Sequence, residues 1–97
     1  YAYIYKQANI RPIVDFVWRP RYPKVGELVK FIDLSIDPDG NIVSWVWDFG
    51  NGDKDTSKNP TTRYDEAGTY VVVLKVRDND GDASLKSAIL KVYEEEK

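Results

Sequence analysis

The 97-residue sequence contains no cysteine and no histidine. The first absence removes disulfides, thiol nucleophiles and thiolate metal sites, so core packing alone must hold a fold of this size. It says little about compartment. The second removes the commonest general base and the imidazole metal ligand. Charge of one sign is missing too: 14 Lys and Arg against 16 Asp and Glu give a net charge of −2, with both signs spread along the chain. There is no basic stripe, so nucleic acid is not an expected partner. No apolar run reaches the length of a bilayer crossing, and no membrane insertion by this segment is expected. Tyr1 is not followed by the charged-then-apolar pattern of a signal peptide, and the chain reads as one module of a longer protein. Nor does any stretch sustain a 3.6-residue apolar period, which argues against helices.

What the chain does contain is a concentration of large rings. In the stretch from Ile42 to Gly52, Val43, Trp45, Trp47 and Phe49 alternate with Ile42, Ser44, Val46 and Asp48. This is the pattern of a strand with one aromatic face, running into a turn built on Gly50, Asn51 and Gly52. Large rings bury the most apolar area per residue, so the core is expected to close over that face.

Other strands follow from the same alternation. A first one is expected from Pro12, with Val14 and Phe16 on one face, and a second from Leu28 to Ile36. The run from Trp18 to Pro23 carries two prolines and cannot be a central strand, so it reads as an edge segment or a crossover between sheets. Asp37-Pro38-Asp39-Gly40-Asn41 is a turn. Residues 53–59 read as a loop or short edge strand. Thr69–Arg77 is a clear strand, with Tyr70, Val72, Leu74 and Val76 on one face and Val71, Val73, Lys75 and Arg77 on the other. The turn from Asp78 to Asp82 leads into a last strand from Ser84 to Tyr93, where Ala88, Leu90 and Val92 alternate with Ile89, Lys91 and Tyr93. The sum is an all-β sandwich, with residues 1–9 a linker or the tail of a preceding strand, 10–93 the domain and 94–97 a charged exit segment.

Trp47-Asp48-Phe49-Gly50-Asn51-Gly52 resembles the signature of the PKD (polycystic kidney disease) domain family, with Asn51 in place of the usual aspartate. The resemblance extends from about Pro12 to Val92. It takes in Gly26, the Asp37–Gly40 turn, Asn59-Pro60, Tyr64, Gly68-Thr69-Tyr70, Asp78 and Gly81. Thr62 stands where many members carry histidine, and Val71 and Val73 where polar residues are common. The resemblance implies an immunoglobulin-like sandwich of about seven antiparallel strands in two sheets. It also implies a non-catalytic extracellular or cell-surface module that mediates protein–protein contacts or adhesion. Within such a fold Trp47 is the expected core tryptophan, and Tyr70 sits where a tyrosine corner would tie turn to strand. Val72 and Phe31 fall near the places of the inter-sheet cysteines.

Four features bear on chemistry. Asp37, Asp39 and Asp78 lie on two loops that an immunoglobulin-like sandwich brings to one end, and Ca²⁺ takes several hard oxygen ligands. Calcium-binding PKD domains resemble this arrangement, and Asn9 is the position that matches their further oxygen from the preceding segment. The same aspartates are also ordinary turn formers. The run from Asp78 is not an EF-hand loop, since Ala83 stands at its sixth place and Ile89 at its twelfth. Asp48 reads as a cap for turn N–H groups. Val46, Val71, Val73 and Ile89 fall opposite the core residues and form an apolar interaction face if their strands are neighbours, unless the chain's own Tyr1–Tyr5 covers it. Trp18 reads as a plug in the sandwich edge. If it were exposed, Trp18, Tyr22 and Trp45 would serve the alternative function, a carbohydrate- or polymer-binding accessory domain of an extracellular hydrolase. A free-standing enzyme is not expected.

Overall fold

The computed structural model describes residues 10–94. Among these residues there are seven strands: β1 (Phe16–Arg19), β2 (Leu28–Asp33), β3 (Ile42–Asp48), β4 (Lys54–Asp55), β5 (Thr61–Arg63), β6 (Gly68–Asp78) and β7 (Ala83–Val92). They form two antiparallel sheets, β1-β2-β5 and β4-β3-β6-β7, stacked as an immunoglobulin-like sandwich.

Alternation decides which side chains meet between the sheets. Val29 and Phe31 from β2 face Trp47, Val72, Leu74, Val76, Leu90 and Val92 from β3, β6 and β7, with Phe16, Trp18, Phe49 and Tyr64 closing the core. Trp47 is its centre: Phe16 meets it edge-on at 5.1 Å between ring centroids and Phe31 at 5.3 Å, and its indole N–H donates to the Ser57 carbonyl at 2.9 Å. Val72 and Phe31 are both fully buried. Tyr70 donates from its hydroxyl to the Glu66 carbonyl four residues upstream at 2.6 Å, the expected tyrosine corner.

One register shift and two strand ends differ most from the sequence reading. Ile42 pairs with Asp78 while Ser44 pairs with Arg77, so Val43 is the extra residue of a β-bulge. The bulge reverses the alternation locally: Val43 is 55% exposed, and Ile42 packs on the core in its place. β2 stops at Asp33 rather than Ile36, because the Asp33 carboxylate accepts the Ser35 N–H at 3.0 Å and turns the chain out of the sheet. The first strand starts at Phe16 rather than Pro12, with Ile13 joined to Ile36 only through an isolated bridge.

The proline-bearing run does two things in sequence. β1 is an edge strand, and after a cis Arg19–Pro20 bond the chain crosses to the other sheet, where Lys24 bridges Tyr93 in parallel. Trp18 is 8% exposed and fills the edge as expected, with its N–H on the Arg21 carbonyl and the Arg21 guanidinium 5.2 Å over its ring.

Candidate metal centre at the N-terminal end of the sandwich

The β2–β3 loop and the β6–β7 turn leave the sandwich at the same end, and backbone pairing fastens one to the other. Asn79 donates its N–H to the Asn41 carbonyl at 3.0 Å, and its side-chain oxygen accepts the Asn41 N–H at 2.9 Å. Gly40 lets them close: a Cβ there would stand 2.9 Å from Asp37 Oδ2 and press on the Asn79 side chain. The result gathers Asp37, Asp39 and Asp78, with carboxylate oxygens within 4.8 Å of one another.

The three carboxylates are held differently. Asp78, the last residue of β6, is buried, and its Oδ1 accepts the N–H groups of Asp80 and Asp82 at 3.0 and 2.9 Å. Asp39 is exposed, and its Oδ2 accepts the N–H of Ile10 at 3.0 Å, tying the incoming chain to the loop. Both oxygens of Asp37 are shielded from solvent and, among the described residues, have no well-formed hydrogen bond. Burial, then the neighbouring Asp39 and Asp78 carboxylates, pushes Asp37 above the ordinary carboxylate range. A buried anion without a donor and beside two more anions is unfavourable by itself. The donor set, all hard oxygens, fits a calcium ion. Asn9 lies outside the described residues.

The remaining candidates are placed as follows. Asp48 accepts the Gly50 N–H at 3.0 Å, a turn cap. The Asn51 side chain ties the same turn to β5 by donating to the Arg63 carbonyl at 3.0 Å. Val71 pairs with Ile89, Val73 lies two residues along β6, and Val46 pairs with Lys75 on the outer face of the four-stranded sheet. The structure adds Leu85 to this face, 64% exposed and opposite Lys75. Leu85 keeps the same parity as Ile89, so extending the alternation of the last strand by two steps would have found it. Tyr1–Tyr5, the alternative cover for this face, also lie outside the described residues. Of the three rings considered for glycan contact, Trp18 is core, Tyr22 is exposed against the edge of Tyr93, and Trp45 is partly buried with its N–H on Asp33 Oδ2 at 2.9 Å.

Comparison with known proteins agrees with this architecture. The sequence profile described as PKD domain matches residues 9–92. The chain belongs to the PKD domain family. It is 42% identical over 84 residues to the pre-pro-metalloprotease PrtV of Vibrio cholerae, covering 87% of this chain and 9% of that protein. It is 48% identical over 59 residues to a microbial collagenase of Vibrio alginolyticus, covering 60% of this chain and 7% of the collagenase. The solved PKD1 domain of Vibrio anguillarum Epp superimposes with a TM-score of 0.82 at 31% identity, covering 91% of this chain and all of that one (100%). The chain thus spans less than a tenth of the length of these relatives, a pre-pro-metalloprotease and a collagenase.

Proposed function

We propose that this PKD domain is a spacer and contact module of a longer extracellular chain, and that calcium clasps its N-terminal end. Residues 10–93 form the module, 1–9 a linker or preceding-strand tail, and 94–97 an exit segment. The observation that carries the metal reading is the Asp37 carboxylate, its oxygens shielded from solvent, without a well-formed hydrogen bond among the described residues, and turned toward Asp39 and Asp78. Asp37, Asp39 and Asp78 would hold the ion, with Asn9 as a further oxygen donor. When bound, the ion supplies the positive charge that these carboxylates lack and joins the two loops beside the incoming chain. The spacer reading rests on the path of the chain: Ile10 lies against Asp39, and Glu94 follows β7 at the opposite end of the long strands.

The second contact feature is the outer apolar face of Val46, Val71, Val73 and Ile89, which would meet a protein surface. The polymer-binding alternative is supported by relatives named as a metalloprotease and a collagenase. It has lost Trp18 to the core and rests on Tyr22 and Trp45.

Calcium titration by calorimetry, with thermal melts in calcium and in chelator, tests the metal. At a calcium concentration 100 times Kd, linkage adds about 2.7 kcal/mol of stability, a rise in Tm on the order of 10 °C for a domain of this size. Asp39→Ala should abolish both the heat and the rise. Equal melts with and without calcium would leave these aspartates as turn formers.

A further inference from the structure

The turn after β3 carries a reactive juxtaposition of its own. Among the five asparagines of the chain, only Asn51 is followed by glycine. An asparagine side chain is open to attack at Cγ by the backbone nitrogen of the next residue. Glycine offers that nitrogen with no side chain in the way. The other four are hindered. Asn59 precedes Pro60, whose nitrogen has no proton to lose. Asn9 and Asn41 precede isoleucines, whose branched Cβ crowds the approach. Asn79 precedes Asp80, whose N–H is committed to Asp78 Oδ1 at 3.0 Å.

At Asn51 the surroundings favour the reaction. Gly52 is exposed, and a Cβ built on it would meet nothing within 4 Å, so solvent base reaches its nitrogen. Its N–H has no well-formed hydrogen bond among the described residues. The Asn51 side-chain oxygen accepts the Asp53 N–H at 3.0 Å. That bond draws electron density from Cγ and is placed to stabilise the oxyanion that forms on attack. The amide nitrogen, which becomes the leaving group, donates to the Arg63 carbonyl at 3.0 Å and to Thr62 Oγ1 at 3.4 Å.

We propose that Asn51 is a self-modification site, at which the folded chain converts asparagine to aspartate and isoaspartate with water as the only co-reactant. The Gly52 nitrogen bonds to Cγ, the Cγ–Nδ2 bond breaks, and ammonia leaves with the Gly52 proton. Water then opens the ring at either of its two carbonyls. One opening gives aspartate; the other routes the main chain through Cβ and Cγ and gives isoaspartate. Either product puts a carboxylate where a donor stood, so the Arg63 carbonyl loses its partner and the turn is released from β5. The change is irreversible and marks the age of the chain.

The test keeps the folded protein at mildly alkaline pH, well below its melting temperature, beside the same chain unfolded in guanidinium chloride. Intact mass and peptide maps are followed over time. A gain of one mass unit is expected in both at comparable rates, mapped first to position 51, with isoaspartate among the products. Isomerisation at Asp39–Gly40 or Asp80–Gly81 leaves the mass unchanged and so does not interfere. Asn51→Gln should lose the gain, because glutamine would have to close a larger ring. The converted protein, separated by ion exchange, should melt below the parent. A folded chain that keeps its mass while the unfolded chain converts overturns the proposal. So does conversion mapped first to another asparagine, or a gain that survives Asn51→Gln. A converted protein that melts with the parent overturns the release of the turn.

Discussion

At the residue scale the aromatic hydroxyls separate two roles that the sequence leaves alike. Tyr70 reaches the surface side of its corner, whereas Tyr64 is buried with its hydroxyl on the Phe49 carbonyl at 2.9 Å. Burial pushes the Tyr64 phenol well above its ordinary value of 10.0, with the neighbouring Tyr70 and Asp48 adding to the rise. In the unfolded chain the phenol ionises near 10. Its contribution is therefore fully present below that pH and is lost as pH climbs from there toward the higher folded value. Thermal melts should hold level to about pH 9.5 on this account and then fall. Tyr64→Phe should reduce the alkaline fall while lowering stability at neutral pH by about 1–3 kcal/mol, since a buried carbonyl loses its donor. An alkaline fall identical to that of the parent chain would remove Tyr64 as its source.

At the element scale the turn after β3 is set by approach as much as by sequence. Gly50 has φ +81°, and a Cβ there would stand 2.6 Å from the Val71 carbonyl oxygen of β6. Gly52 has φ +95° with open space around it. Both glycines accept a backbone conformation that a side chain opposes by roughly 1–2 kcal/mol. Only the first also meets the neighbouring strand. Urea denaturation should therefore rank Gly50→Ala as clearly more destabilising than Gly52→Ala. Equal losses would mean that the β6 backbone gives way. The signature motif was plain in the sequence as a turn. That Gly50 serves a contact with β6, twenty-one residues away, was not, because that spacing exists only after the sheet forms. The same limit explains Val43: alternation places it with Trp45, and the register that bulges it outward is set by β6.

At the scale of the whole molecule, the four-stranded sheet has one face in the core and one in solvent. Val71, Ile89 and Leu85 are exposed on the second. Val71→Lys combined with Val73→Lys should leave the fold intact. Substitutions on a solvent-facing surface usually stay within about 0.5 kcal/mol of the parent, so circular dichroism should be unchanged and the melting temperature should stay close to the parent. Loss of folding would place these valines in the core and remove the contact face from consideration.

Much of this protein was legible in its sequence for one physical reason. Strand alternation, turn chemistry and ring burial are local, and in a two-layer all-β fold they nearly suffice to sort inside from outside. The long strands, the aromatic face around Trp47 and the edge position of Trp18 follow from them, while the number of strands and the Tyr70 corner came from the family resemblance. Tertiary structure decided what depends on distance between strands. It brought Asp37 and Asp39 to Asp78 across forty residues and stripped Asp37 of donors. By ending β2 three residues early it also left Trp45 only partly buried at the margin of a core that holds Trp18 and Trp47. Periodicity assigns a side chain to a face; only the packed partner determines whether that face is covered.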